Sequence, residues 1–218
     1  KNNKPDYNGI KANINKKTRM VLIQRSRGYS LRPAMSIDEI GQLINYTMGL
    51  CGESAEVLAL VNNKLSYNKE INKDELTKEL GDLMWYIARC ADGIGFKLSY
   101  LLGTKTFDEY QSESDFDMEV DYAVIQLGEI NNVLRHYTMV LSIDSGYISD
   151  HFKKVVFQGH KIDFILVKDK LESILRCIGI IAYLNKIWFS EIANKNVEKL
   201  RKRYPNGFKV DDSINRKE

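Results

Sequence analysis

Two acidic pairs, Glu53-Ser-Ala-Glu56 and Glu79-Leu-Gly-Asp82, interrupt what are otherwise apolar helical stripes. At about 100° per residue, Leu50, Val57, Leu60 and Val61 fall on one face, with Glu53 inside that face and Glu56 at its edge. Leu76, Leu83, Ile87 and Cys90 repeat the layout around Glu79, with Asp82 at the edge beside Tyr86. Carboxylates that face a core lose their water and repel one another, so the cluster must take up protons or recruit a divalent cation. Two facing helices would bring all four together, and hard oxygen donors select magnesium, manganese or calcium over zinc. The competing reading is that these are solvated helix-surface acids, the usual fate of Glu and Asp.

The rest of the chain supports packed helices. Only Pro5, Pro33 and Pro205 occur, all outside the long periodic segments, and 218 residues suffice for one core or two small helical units. The expected fold class is all-α. Cys51, Cys90 and Cys177 lie in apolar stretches without C-x-x-C or Cys/His spacing, which argues against a zinc site or a disulfide framework and for a reducing, cytoplasmic setting. His136, His151 and His160 have no partner at ligand spacing and read as surface or loop residues. No membrane span is expected, since the longest apolar run, 177–184, is too short. Charge is uneven: residues 1–34 carry nine basic side chains against Asp6 alone, whereas the whole chain is only +3. This arm suits docking on the acidic body, closing over a phosphate-bearing ligand, or touching nucleic acid. Docking is favoured, because the arm's +8 within a total of +3 leaves −5 on the body as a partner, and nucleic-acid binding gains no support from a body without a basic, aromatic-interleaved face.

Ser36 with Glu39 reads as a capping box opening a helix to about Tyr46, followed by an acidic helix over 47–63, a polar loop over 64–72 and a second acidic helix over 74–91 ended by Gly93 and Gly95. Leu98 to Leu102 is a short apolar element, and Thr106-Phe107-Asp108-Glu109 starts another helix. The pattern then recurs in weakened form. Residues 125–129 echo 49–53, which pairs Glu129 with Glu53 and Asn132 with Glu56, and 170–183 overlay 79–92, which pairs Lys170 with Glu79 and Ser173 with Asp82. Chance likeness between amphipathic helices is the alternative. Residues 144–167 carry no clear assignment. The expected divisions are an arm over 1–34, a catalytic repeat over 35–105, a degenerate repeat over 106–208 and a polar tail over 209–218.

Gly52-Glu53-x-x-Glu56-Val57, Lys78-Glu79-Leu80-Gly81-Asp82-Leu83-x-Trp85-Tyr86 and the segment from Asn196-Val197-Glu198-Lys199-Leu200 through Arg203-Tyr204-Pro205 to Gly207-Phe208 together resemble the MazG-like all-α nucleoside triphosphate pyrophosphohydrolases. The resemblance implies Glu53, Glu56, Glu79 and Asp82 as ligands of Mg2+, with Mn2+ as a substitute. It implies hydrolysis of a nucleoside triphosphate, expected to be a dNTP, to the monophosphate and pyrophosphate. By the same likeness Tyr86 approaches the nucleoside or is an ordinary core aromatic, and Asn196, Lys199 and Arg203 approach the phosphates. The acidic pairs lie in the first copy and the Asn196 segment after the second. An intrachain pseudo-dimer with one intact site is therefore expected, as a monomer or homodimer. A non-catalytic nucleotide sensor, or hydrolysis of phosphoribosyl-ATP or an alarmone, would use the same residues.

Overall fold

The computed structural model describes residues 37–103, 106–113 and 116–205. Two compact units divide the chain, Lys1–Ala34 and Met35–Glu218, and the described residues belong to the second. The basic arm, the Ser36 capping box and the 209–218 tail lie outside the described residues.

Regular structure among the described residues is helical, and the fold is all-α. Helix α1 spans Ile37–Tyr67 without a break, where two helices were expected. The Thr47 hydroxyl donates to the Ile44 carbonyl at 2.9 Å, so this polar residue is satisfied within the helix instead of ending it. Helix α2, Lys73–Gly93, is opened by Asn72, whose side-chain oxygen accepts from the Asp74 and Glu75 amides, and Asp74 and Glu75 suit the positive helix start. After Gly93 the chain turns through Gly95 at φ 84°, a left-handed conformation that glycine adopts without strain. Short helices α3, Leu98–Leu102, and α4, Phe107–Glu113, follow. The start of α4 is a reciprocal cap, in which the Glu109 amide donates to Thr106 Oγ1 and the Thr106 amide to Glu109 Oε2. Helices α5, Phe116–Leu127, α6, Ile130–Gln158, α7, Phe164–Leu184, and α8, Phe189–Arg203, complete the order.

Four long helices close a ring, with α1 against α2 and α6, and α7 against α6 and α2. Leu50, Val57, Leu80 and Ile87 from one hairpin meet Leu141, Ile148, Leu171 and Ile178 from the other, all fully buried. At about 1.5–3 kcal/mol per buried aliphatic side chain, this seam dominates the stability of the fold. Helix α8 packs on α2, and α3 on α7.

The two hairpins share one register. Helix α2 and helix α7 start and end at positions ninety-one apart, Lys73–Gly93 against Phe164–Leu184. The same interval relates their N-caps Asn72 and Asp163, the ends of α1 and α6 at Tyr67 and Gln158, and the caps Lys97 and Trp188 that precede α3 and α8. This agrees with the overlay of 170–183 on 79–92 and corrects that of 125–129 on 49–53. Glu129 is the exposed residue before α6, and the counterpart of Glu53 is Asp144, with Tyr147 in the place of Glu56. A short Gly-Glu match misled the alignment because it carries no packing information. The unassigned 144–167 stretch is mainly the second half of α6. No helix among the described residues is long and apolar enough to cross a membrane.

Candidate metal and phosphate site

The α1–α2 hairpin sets Glu53 and Glu56 opposite Glu79. One oxygen from each lies within 4.8 Å of the others, a spacing that one divalent ion can bridge. Glu79 is only 6% exposed, Glu53 is half-buried and Glu56 faces solvent. Burial is the main cause of the raised Glu53 pKa, which moves from 4.5 to about 7, with the charges of Asp82, Glu56 and Glu79 adding to it and Lys199 opposing. The Glu79 carboxyl is also raised by burial, against the pull of Lys78, whose ammonium sits 3.7 Å away in solvent. Burial and mutual repulsion thus disfavour the charged forms of Glu53 and Glu79, a cost that a cation would relieve.

Asp82 stands apart from that triad. Its Oδ1 accepts a 2.7 Å hydrogen bond from Asn196 Nδ2 and a short one from the Lys199 ammonium, both on α8. Helix α8 reaches it because residue 81 is glycine: a Cβ there would come within 2.9 Å of Asn196 Cβ and 3.3 Å of the Ile192 carbonyl oxygen. Asn196 is buried, and Lys199 and Asp82 are each about one-fifth exposed. Arg203, the last residue of α8, is half-buried.

Tyr86 is half-buried and built into the hairpin. Its ring covers Gly49 so closely that a Cβ on Gly49 would lie 2.2 Å from it, and it meets Trp85 edge-on at 4.8 Å. Trp85 in turn meets Tyr46, whose hydroxyl accepts from Arg89 at 2.9 Å while the guanidinium lies 5.0 Å from the ring centre. This Tyr46–Trp85–Arg89 wall was not singled out from the sequence. The spacing of Trp85 and Arg89, one turn apart on α2, was the available signal.

Ninety-one positions on, Lys170 stands where Glu79 does and pairs with Asp144 at 2.6 Å. The same ammonium lies 5.0 Å from the Tyr147 ring centre, and Ser173 takes the place of Asp82.

With this geometry in view, the comparisons bear on kinship. A family model described as methionine gamma-lyase matches residues 1–113, more than half of the 218-residue chain. The chain belongs to this family. That finding overturns the MazG-like resemblance, because short acidic motifs at helical spacing recur in any helix that points carboxylates at a partner. Gene 37 protein of Mycobacterium phage L5 is 34% identical over 82 residues, covering 36% of this chain and 71% of that protein. The uncharacterized protein YnbB of Bacillus subtilis is 46% identical over 46 residues, covering 21% of this chain and 11% of YnbB. The chain thus spans about a tenth of YnbB. No solved structure matches the chain significantly.

The name of the methionine gamma-lyase family raises a fit question. Elimination on an amino acid needs an electron sink, ordinarily pyridoxal phosphate held by a lysine as a Schiff base. Lys170 and Lys199, the partly buried lysines beside the two acid-bearing hairpin junctions, are tied as cations to Asp144 and Asp82. Among the described residues, these two lysines do not fit that cofactor.

Proposed function

We propose that the chain is a divalent-metal-dependent hydrolase that cleaves a nucleoside triphosphate, with dNTPs the first substrates to test, into the monophosphate and pyrophosphate. The convergence of Glu53, Glu56 and Glu79 within 4.8 Å, beside a helix that brings Lys199 and Asn196 to the adjacent Asp82, carries this reading. Such a set attracts a cation at one end and offers donors to anionic oxygens at the other, the two things a triphosphate requires. Glu53, Glu56 and Glu79 would hold Mg2+ or Mn2+, with Asp82 as a further ligand, and the ion supplies Lewis-acid polarisation and a lowered pKa for water. Lys199 and Arg203 offset phosphate charge, Asn196 donates a hydrogen bond, and the aromatic wall of Tyr86 and Trp85 gives a base a face to stack on. In the overall step a water oxygen bonds the α-phosphorus, the bond to the α,β-bridging oxygen breaks, pyrophosphate leaves and the water proton passes to solvent. A cytoplasmic setting, as monomer or homodimer, suits the three free thiols.

The test is a screen of NTPs and dNTPs with and without Mg2+, in which pyrophosphate and orthophosphate are detected separately. Pyrophosphate release that disappears with EDTA is the expected result. Nucleotide binding without turnover would leave a sensor, and methionine cleavage with no nucleotide turnover would replace the proposal with the chemistry of the family's name.

A further inference from the structure

The pairing of Asp82 is the feature that the proposed chemistry does not explain. Glu79 has only the solvent-exposed Lys78 of its own helix at 3.7 Å, whereas Asp82 is paired by a half-buried lysine from a helix 117 positions along the chain. Asn196 holds the same oxygen from one turn away on α8, and Gly81 keeps that helix close enough to do so. The second hairpin uses a lysine in the same way at the positions matching the neighbouring Glu53 and Glu79, where Lys170 sits on Asp144.

We infer that Lys199 is a resident counter-ion that keeps Asp82 out of the metal set until a polyanionic ligand draws it away. This deepens the proposed metal-dependent reading and rests on it. In the free chain an ion meets only Glu53, Glu56 and Glu79, with an ammonium nearby to weaken its hold. A triphosphate would compete with Asp82 for Lys199, leaving the carboxylate held by Asn196 alone and its negative charge available to an ion. Metal and nucleotide therefore bind with positive coupling, each raising the affinity of the other by the same factor. The arrangement discourages idle metal binding and makes Lys199 the residue that links the two ligands.

The test is Mn2+ binding measured by electron paramagnetic resonance, with no turnover involved, on the intact chain and on Lys199→Met and Lys199→Arg. Each is measured with and without an α,β-imido deoxynucleoside triphosphate, and helical content is checked by circular dichroism. Lys199→Met is expected to bind Mn2+ roughly tenfold more tightly than the unaltered chain when nucleotide is absent, because a nearby unit charge is gone. It is also expected to lose most of the nucleotide-induced gain, while Lys199→Arg keeps both properties of the original. Equal or weaker Mn2+ binding by Lys199→Met would overturn the counter-ion role and leave the metal site standing. Failure of every form to bind Mn2+ would overturn the metal-site reading itself, and this inference with it.

Discussion

The two hairpins share a frame and differ in how they neutralise its interior. In the first, Glu53, Glu56, Glu79 and Asp82 bring four acids to the junction of α1 and α2. In the second, the corresponding positions hold Asp144, Tyr147, Lys170 and Ser173, one acid and one base, already paired at 2.6 Å. Asp144 is 3% exposed, a place where an unpaired charge would cost several kcal/mol, about 3–5 by the usual measure of a broken buried pair. Lys170 removes that cost from inside the chain. In the first hairpin Glu79 has only the solvent-exposed Lys78 at 3.7 Å, and burial pushes the Glu53 and Glu79 carboxyls up. The same backbone therefore supports a closed, self-neutralised pair in one copy and an open, acid-rich cleft in the other. The helix that follows differs too: α3 stops at Leu102 against Gly103 at φ 67°, whereas α8 runs to Arg203 and packs on α2 with Ile192 and Asn196 over Gly81.

The largest expected effect comes from exchanging the two solutions. Glu79→Gln should cut pyrophosphate release at least a hundredfold, by roughly the loss that follows removal of a ligand or its support, while the helical content persists. Lys170→Gln at the matching position should leave turnover within about twofold and instead lower stability, by up to about 3 kcal/mol, because Asp144 is left buried without its cation. Urea titration and steady-state kinetics on both variants separate the outcomes. Equal losses of activity would mean that the second pair works in catalysis.

A smaller effect, in the opposite direction, should follow from remaking the second hairpin in the image of the first. With Tyr147→Glu and Lys170→Glu together, Asp144 gains two acidic neighbours, and the variant should be less stable in EDTA and regain stability with Mn2+. Its Mn2+ stoichiometry should rise from one to two. A stoichiometry that stays at one would show that the backbone of the second hairpin, and not only its side chains, has lost the capacity.

Much of this comparison was legible in the sequence. The apolar stripes around Glu53 and Glu79 gave the helices and the burial of Glu79, because a 3.6-residue period is a local property. The register of the repeat was legible in α7, where Leu171, Ile174 and Ile178 match Leu80, Leu83 and Ile87, and hidden in α6, where Ser142, Ser145 and Gly146 blur the stripe. Ser145 is fully buried: its hydroxyl donates to the Leu141 carbonyl one turn back and its own carbonyl accepts from Cys51 of α1, a partner that only the fold supplies. The contact of Asp82 with Lys199 was equally out of reach of periodicity, since it depends on how α8 crosses α2 at Gly81. The kinship was misread because short acidic motifs record helical spacing and partner chemistry, neither of which is unique to one family.

Acidity offers a way to sharpen the difference at the level of a few degrees in Tm. The Glu53 carboxyl holds its proton up to about 7 when folded, against 4.5 in its ordinary state, so the folded chain binds the extra proton between those values. This contribution is complete below 4.5 and is lost as pH rises through about 7, and the raised Glu79 acts in the same direction. In EDTA, Tm should therefore rise as pH is lowered from 8 to 6, and Glu53→Gln should flatten the slope. Asp150, held down to about 2 by Lys153 and Lys154, loses its stabilising contribution only in much stronger acid and does not blur the window. Saturating Mn2+ should also flatten the slope, because an ion replaces the proton. A slope unchanged by Glu53→Gln would place the titrating group elsewhere.

The smallest effect concerns the glycine that lets α8 approach. Alanine at position 81 gains about 0.8–1 kcal/mol of helix propensity over glycine, but its Cβ would press on Asn196 at 2.9 Å and on the Ile192 carbonyl oxygen at 3.3 Å. Overpacking of this kind costs about 1–3 kcal/mol, so the two terms nearly cancel and Tm should move little or fall slightly. The consequence for the site is less balanced: α8 must back away, and the hydrogen bond from Asn196 and the ion pair from Lys199 to Asp82 both lengthen. Gly81→Ala should therefore raise KM several-fold while kcat changes less. The matching position in the second hairpin is Glu172, whose carboxylate pairs with Lys168 at 2.6 Å near the surface. Glu172→Ala removes a pair worth about 0.3–0.5 kcal/mol and should leave KM unchanged. If Gly81→Ala leaves KM as it was, the close crossing of α8 over α2 serves packing alone, and the two hairpins differ in their charges but not in what their following helices do.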